Sequence, residues 1–218
     1  MKPIKSILIL AAIMFVPAIA SAQGYYGGRG GGGGYYNSPQ PSEQLPGGFH
    51  NRQGRLIWGF SLGLGGMKDS GGSIQCTNCT YSTASGEVSG HVGGFIGPRL
   101  ALLGEVQANL QTLSSDAYTD TTLVQSALMV AAQYWVTPQL WVKGGIGFAN
   151  VTVDTSNYDY GTSSPVDHGM ALMGAIGYEV LSSRFFSLDL QGRVLNGEYK
   201  GIDDSITAGS VGIGINWF

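Results

Sequence analysis

The sequence predicts an all-β fold: an eight-stranded antiparallel up-and-down transmembrane β-barrel behind a disordered Gly/Tyr/Pro-rich leader. Three observations carry this reading. From Leu56 onward, apolar residues recur at every second position. The links between these alternating stretches are short and long in turn. Within the strands, every charge falls on the face opposite the bulky apolar residues.

The chain opens with Lys2 and Lys5, an apolar run from Ile7 to Val16, and Ala20-Ser21-Ala22 before Gln23. That order of charge, apolar core and small residues is a cleaved secretory signal, so residues 1–22 stand outside the fold. Residues 23–54 form the leader. Its Gly run, Tyr35-Tyr36, Pro39, Pro41 and Pro46 bury too little apolar surface to fold alone. A phosphate-cradling Gly loop needs a strand before it and a helix after it, and neither is present. Without the signal lysines, nine basic residues face 14 acidic ones, a formal charge of about −5, and nothing points to nucleic acid. No later stretch offers the roughly 20 consecutive apolar residues of a spanning helix. A chain that enters the membrane therefore enters as strands.

Residues 55–218 carry the barrel, and alternate residues of a strand face opposite sides of a sheet. Strand one sets Leu56, Trp58, Phe60, Leu62 and Leu64 against Gly59, Ser61, Gly63 and Gly65. Strand two sets Val88, Val92 and Ile96 against Glu87, Ser89 and His91, and strand three sets Leu102, Val106 and Leu110 against Glu105, Gln107 and Asn109. Strand four sets Val124, Leu128 and Tyr134 against Gln125 and Gln133; strand five sets Leu140, Val142, Ile146 and Phe148 against Lys143 and glycines. Strand six opposes Met170, Leu172, Ile176 and Tyr178 to Ala171, Ala175 and Glu179. Strand seven opposes Phe186, Leu188, Leu190 and Val194 to Asp189, Gln191 and Arg193, and strand eight opposes Val211, Ile213, Ile215 and Trp217 to Ser210, Gly214 and Asn216.

Tight turns are expected at Gly97-Pro98-Arg99, Thr137-Pro138-Gln139 and Ser182-Ser183-Arg184. The other links, 66–86, 112–121, 150–167 and 196–204, read as long polar loops. Short turns on the periplasmic side and long loops outside are the pattern of outer-membrane barrels. A soluble ligand-carrying barrel would put bulky apolar residues inside and charges outside. Here the small and polar face suits the narrow interior that eight strands leave, so the bulky face looks outward. Trp58, Tyr134, Trp135, Trp141, Tyr178, Phe185, Phe186 and Trp217 gather beside the short turns as an interfacial girdle.

The chain ends Asn216-Trp217-Phe218, and with this ending residues 55–218 resemble the small outer-membrane barrel family that includes OmpA-type and OmpX-type domains. The resemblance implies that Trp217 and Phe218 belong to a C-terminal signal read by the barrel-assembly machinery. It implies an outer-membrane location, with lipids as neighbours and the leader in the periplasm. The sequence departs from the usual signal in pointing Trp217 outward, with Asn216 on the other face.

Glu87, His91, Glu105, Lys143, Glu179, Asp189 and Arg193 share the inner face. Both signs in a confined space favour a closed polar network over a lone active carboxylate. Cys76 and Cys79, in an exported chain, read as a short-range disulfide. His50, His91 and His168 lack the partners of a catalytic site, so no catalytic residue, cofactor or metal is expected; Asp154 and Asp159 match no calcium loop. The expected role is structural or surface-interacting, through extracellular loops and an unidentified partner. The alternative is a narrow channel or transporter for small solutes, with a lipid-modifying enzyme behind both.

Overall fold

The structure, a computed structural model, describes residues 44–45, 49–50, 52–69, 72–73, 80–116, 119–157, 161–183, 185–200 and 205–218. The signal segment, Cys76, Cys79 and Asp159 lie outside them.

Eight long strands make the wall: β1 (Leu56–Asp69), β2 (Thr80–Phe95), β3 (Leu100–Asp116), β4 (Thr119–Trp135), β5 (Leu140–Asn157), β6 (Gly161–Ser182), β7 (Phe186–Tyr199) and β8 (Ser205–Trp217). Each pairs antiparallel with its neighbour in sequence, and β8 pairs with β1 from Trp58↔Trp217 to Asp69↔Ile206, which closes the ring. Starting from Gly59, one circuit of cross-strand partners passes His91, Glu105, Met129, Gly147, Ala171, Gly197 and Ile206 and returns to β1 at Asp69. This stagger goes with strands tilted by roughly 35–45° to the barrel axis.

The alternation read from sequence is the alternation of the wall. Leu62, Leu128, Leu172, Ile213 and their neighbours of the same parity are exposed, whereas Glu105, Gln107, Gln133, Lys143, Asp189 and Arg193 are buried inside. The outward charges Lys68, Asp154 and Glu198 all stand toward the strand ends away from the short turns, leaving the apolar belt uncharged. The short turns form where expected. Thr137 Oγ1 accepts from the backbone N–H groups of Gln139 (3.3 Å) and Leu140 (2.9 Å), and Ser183 Oγ does the same for Phe185 (3.3 Å) and Phe186 (3.1 Å).

Three expectations need correction. Most of the stretches expected as long loops are ladder: β3 and β4 stay paired to Asp116↔Thr119, and β5 and β6 to Ser156↔Gly161. A two-stranded ladder satisfies its own peptide groups, so it outlasts the alternation of side chains that made strands visible in the sequence. The second correction concerns the girdle. Trp58, Tyr134, Tyr178, Phe185 and Phe186 are exposed, and Trp217 stacks on Trp58 with ring centroids 4.3 Å apart. Trp135 and Trp141, at 3% and 1% exposure, are inside the barrel instead. Their positions have the parity of Gln133 and Lys143, and parity overrides closeness to a turn.

The inner face is also less uniformly small and polar than expected. Toward the end away from the short turns, Met67, Leu123, Met129, Met173, Leu195 and Ile206 are buried in the lumen. Glycines let strands approach there: a Cβ at Gly147 would lie 2.0 Å from the carbonyl oxygen of Leu128. The folded chain is expected to resist detergent until boiled, giving a heat-dependent mobility shift on a detergent gel. In refolding into bilayers, Leu172→Arg should cost about 2–4 kcal/mol if this face meets lipid, and near nothing if it meets water.

Candidate functional site: the charged lumen

Most of the sequence-predicted inner residues enter ion pairs or hydrogen bonds inside the lumen, in separate groups at three levels. In the middle tier Arg193, on β7, is the hub. Its Nη2 donates to Glu105 Oε1, and its Nη1 donates to Ser89 Oγ (2.8 Å), Gln107 Oε1 (3.3 Å) and Glu87 Oε1 (3.4 Å). Lys143, on β5, donates to Glu105 Oε2 at 3.1 Å. Ser61 and Ser210 donate to Glu87 at 3.4 and 3.3 Å. Since β3 and β7 are four strands apart in a ring of eight, the Arg193–Glu105 pair crosses the full diameter.

Nearer the short turns, Asp189 accepts from Asn216 Nδ2 (2.7 Å) and Trp141 Nε1 (3.3 Å), neutral donors both. His91 faces inward as read, opposite Glu105 in the β2–β3 ladder. At the short-turn mouth, Glu179 accepts from Trp135 Nε1 at 2.7 Å and from both terminal nitrogens of Arg52, at 2.9 and 3.0 Å. Arg52 also donates to Ser182 Oγ at 3.1 Å, and its guanidinium carbon lies 3.8 Å from the centroid of the Phe218 ring.

Arg52 is the residue that sequence reasoning missed, because it was counted with the leader. No periodicity marks it, and the one local signal is Gly54, whose φ of 75° turns the chain between Arg52 and the first strand. Trp135 and Trp141 were also missed as lumen donors, although their parity with Gln133 and Lys143 could have assigned them. Phe218 turns its ring inward, toward Phe95 at 5.9 Å, while Trp217 faces out, as the parity of the last strand requires.

Elsewhere the chemistry is sparse. His168 is exposed, with Nδ1 3.9 Å from Asp167 Oδ1. The described residues also hold no group of three or more His, Cys, Asp or Glu placed to bind a metal.

No family model matches the chain, and neither does any curated protein. Solved structures do. The chain is similar to the attachment invasion locus protein Ail of Yersinia pestis, at 10% identity and a TM-score of 0.51, covering 75% of this chain and 99% of Ail. A second Ail structure, in complex with the heparin analogue sucrose octasulfate, matches at 9% identity and 0.52 over the same shares. This likeness is one of fold: the chain has the architecture of a small eight-stranded outer-membrane β-barrel.

Removing one member of a buried charge pair leaves the other unpaired, at about 3–5 kcal/mol. Arg193→Met should therefore lower stability by about that amount in urea unfolding from detergent micelles. Adding Glu87→Gln should recover part of the loss, since Glu87 is ion-paired to Arg193 whereas Glu105 keeps Lys143, a coupling that two independent sites would not show.

Proposed function

We propose that this chain is an outer-membrane barrel with a closed lumen that serves a structural or surface-interaction role through the hairpins rising beyond the lipid. The observation that carries the reading is the diametric Arg193–Glu105 pair, flanked by Lys143 and Glu87, which bars the lumen at mid-height. A conducting pore needs a continuous wet path, and this tier fills it with side chains that bind one another. On this reading the short turns and the leader face the periplasm, and strands β1 to β8 meet lipid along their apolar face. The ladders that outlast the belt make rigid supports for binding surfaces, which loops on a fixed scaffold commonly provide.

The hairpin stretches 66–86, 112–121, 150–167 and 196–204 carry Lys68 and Lys200 against nine acids. That balance favours a cationic partner surface and disfavours a sulfated ligand such as the heparin analogue sucrose octasulfate, with which Ail was crystallised.

In planar bilayers the purified barrel should give no stable unitary current; steady unitary conductance would sink the closed-lumen reading in favour of a narrow channel. For the surface, barrels in micelles should be retained on a polylysine matrix at low salt and pass through a heparin matrix. The reverse retention would reject the cationic partner.

A further inference from the structure

The side chain that closes the short-turn mouth does not come from the barrel wall. Arg52 precedes β1 by four positions, yet its side chain is 5% exposed and the Glu179 side chain that receives it is 0% exposed. Among the described residues its side chain meets Glu179 and Ser182 of β6, Trp135 of β4, and Phe218, the residue after β8. The wall thus presents a preformed socket with three matched features. The Glu179 carboxylate receives two guanidinium nitrogens side by side at 2.9 and 3.0 Å, a bidentate geometry that a planar fork satisfies and an ammonium does not. The Ser182 hydroxyl accepts a further N–H at 3.1 Å. The Phe218 ring face lies 3.8 Å from the guanidinium carbon, with the Trp135 ring at 5.3 Å, and aromatic faces attract a weakly hydrated planar cation.

We propose that this mouth is a guanidinium-binding site occupied in cis by Arg52, so that residues just ahead of the wall form a detachable latch whose socket accepts the arginine side chain of another segment. The latch is built to turn. Gly54 takes a φ of 75°, Arg55 N–H donates back to the Arg52 carbonyl at 3.0 Å, and Gly54 N–H donates to the Phe95 carbonyl at 3.1 Å. These contacts reverse the chain over the rim and aim Arg52 inward. Such a short tether holds Arg52 at high effective concentration, so a free competitor binds only weakly while the latch is in place. An arginine-bearing segment gains the site when the leader is drawn away. The bars of the middle tier lie beyond this socket and do not depend on it, so emptying the mouth changes its occupancy without opening a pore.

The test uses the whole chain folded in detergent micelles. Arg52→Ala leaves Glu179 buried without its cation and should lower the thermal midpoint. Millimolar methylguanidinium should raise that midpoint again, while methylammonium at the same ionic strength should not. Binding of methylguanidinium, read by calorimetric titration, should be about tenfold or more tighter for Arg52→Ala than for the natural chain, whose socket is occupied. It should vanish in the Arg52→Ala/Glu179→Gln double variant. If Arg52→Ala refuses to fold alone, its refolding yield with and without methylguanidinium reads the same occupancy. Equal effects of both cations, or binding that survives Glu179→Gln, would reduce Arg52 to an ordinary structural counter-ion and overturn the proposal. The experiment depends neither on which side of a membrane the mouth faces nor on whether the lumen conducts, so its outcome is independent of the closed-barrel reading.

Discussion

Hydrocarbon offers a peptide group no hydrogen-bond partner, and an unpaired one costs several kcal/mol there. A sheet with lipid on its outer face therefore cannot keep an open edge. The pairing of β1 with β8 from Trp58↔Trp217 to Asp69↔Ile206 removes the two edges that a meander of eight strands would leave. Everything else follows from that closure. It gives the wall an inside, it makes alternate residues of each strand face either lipid or lumen, and through the stagger of the ring it sets which side chains meet across the lumen.

The inside of so narrow a ring is a protein core in which many polar groups are buried beside apolar ones, and burying the polar ones is costly unless they find partners. Charges help because the space is closed. Glu105 meets two cations on separate oxygens, Arg193 spreads its donors over Glu87, Ser89, Gln107 and Glu105, and Asp189 is held by the neutral donors Asn216 and Trp141. Bars of this kind hold opposite walls at a fixed separation. They exchange the freedom of a water-filled lumen for a defined cross-section.

At the short-turn mouth the same physics acts through a residue outside the sheet. Glu179 sits where the Glu179↔Asp189 register brings two carboxyl groups onto neighbouring strands. A cation beside such a pair of carboxyl groups is favoured. Arg52 fills the role from the connecting segment, seated on the aromatic floor of Phe218 and Trp135. The inward turn of Phe218 is thereby explained: its ring packs within the mouth, while Trp217 joins Trp58 on the outer surface.

By itself the sequence determined the number of wall strands, their parity and the face that holds the charges, because a period of two is a local property and needs no partner to be read. Glu105 and Arg193 could be assigned to the same face, but not to each other. Only closure of the ring put β3 opposite β7 and joined them across the diameter. The aromatic residues show the same division: being next to a turn suggested a girdle for Trp135 and Trp141, yet parity within the closed wall turned both inward, where each found a carboxylate. The hairpin extensions were hidden because ladders beyond the lipid need no alternating apolar face. Arg52 was hidden because it lies outside every periodic stretch, and nothing short of the folded mouth, with Glu179, Ser182 and Phe218 brought together from distant positions, defines the place it fills.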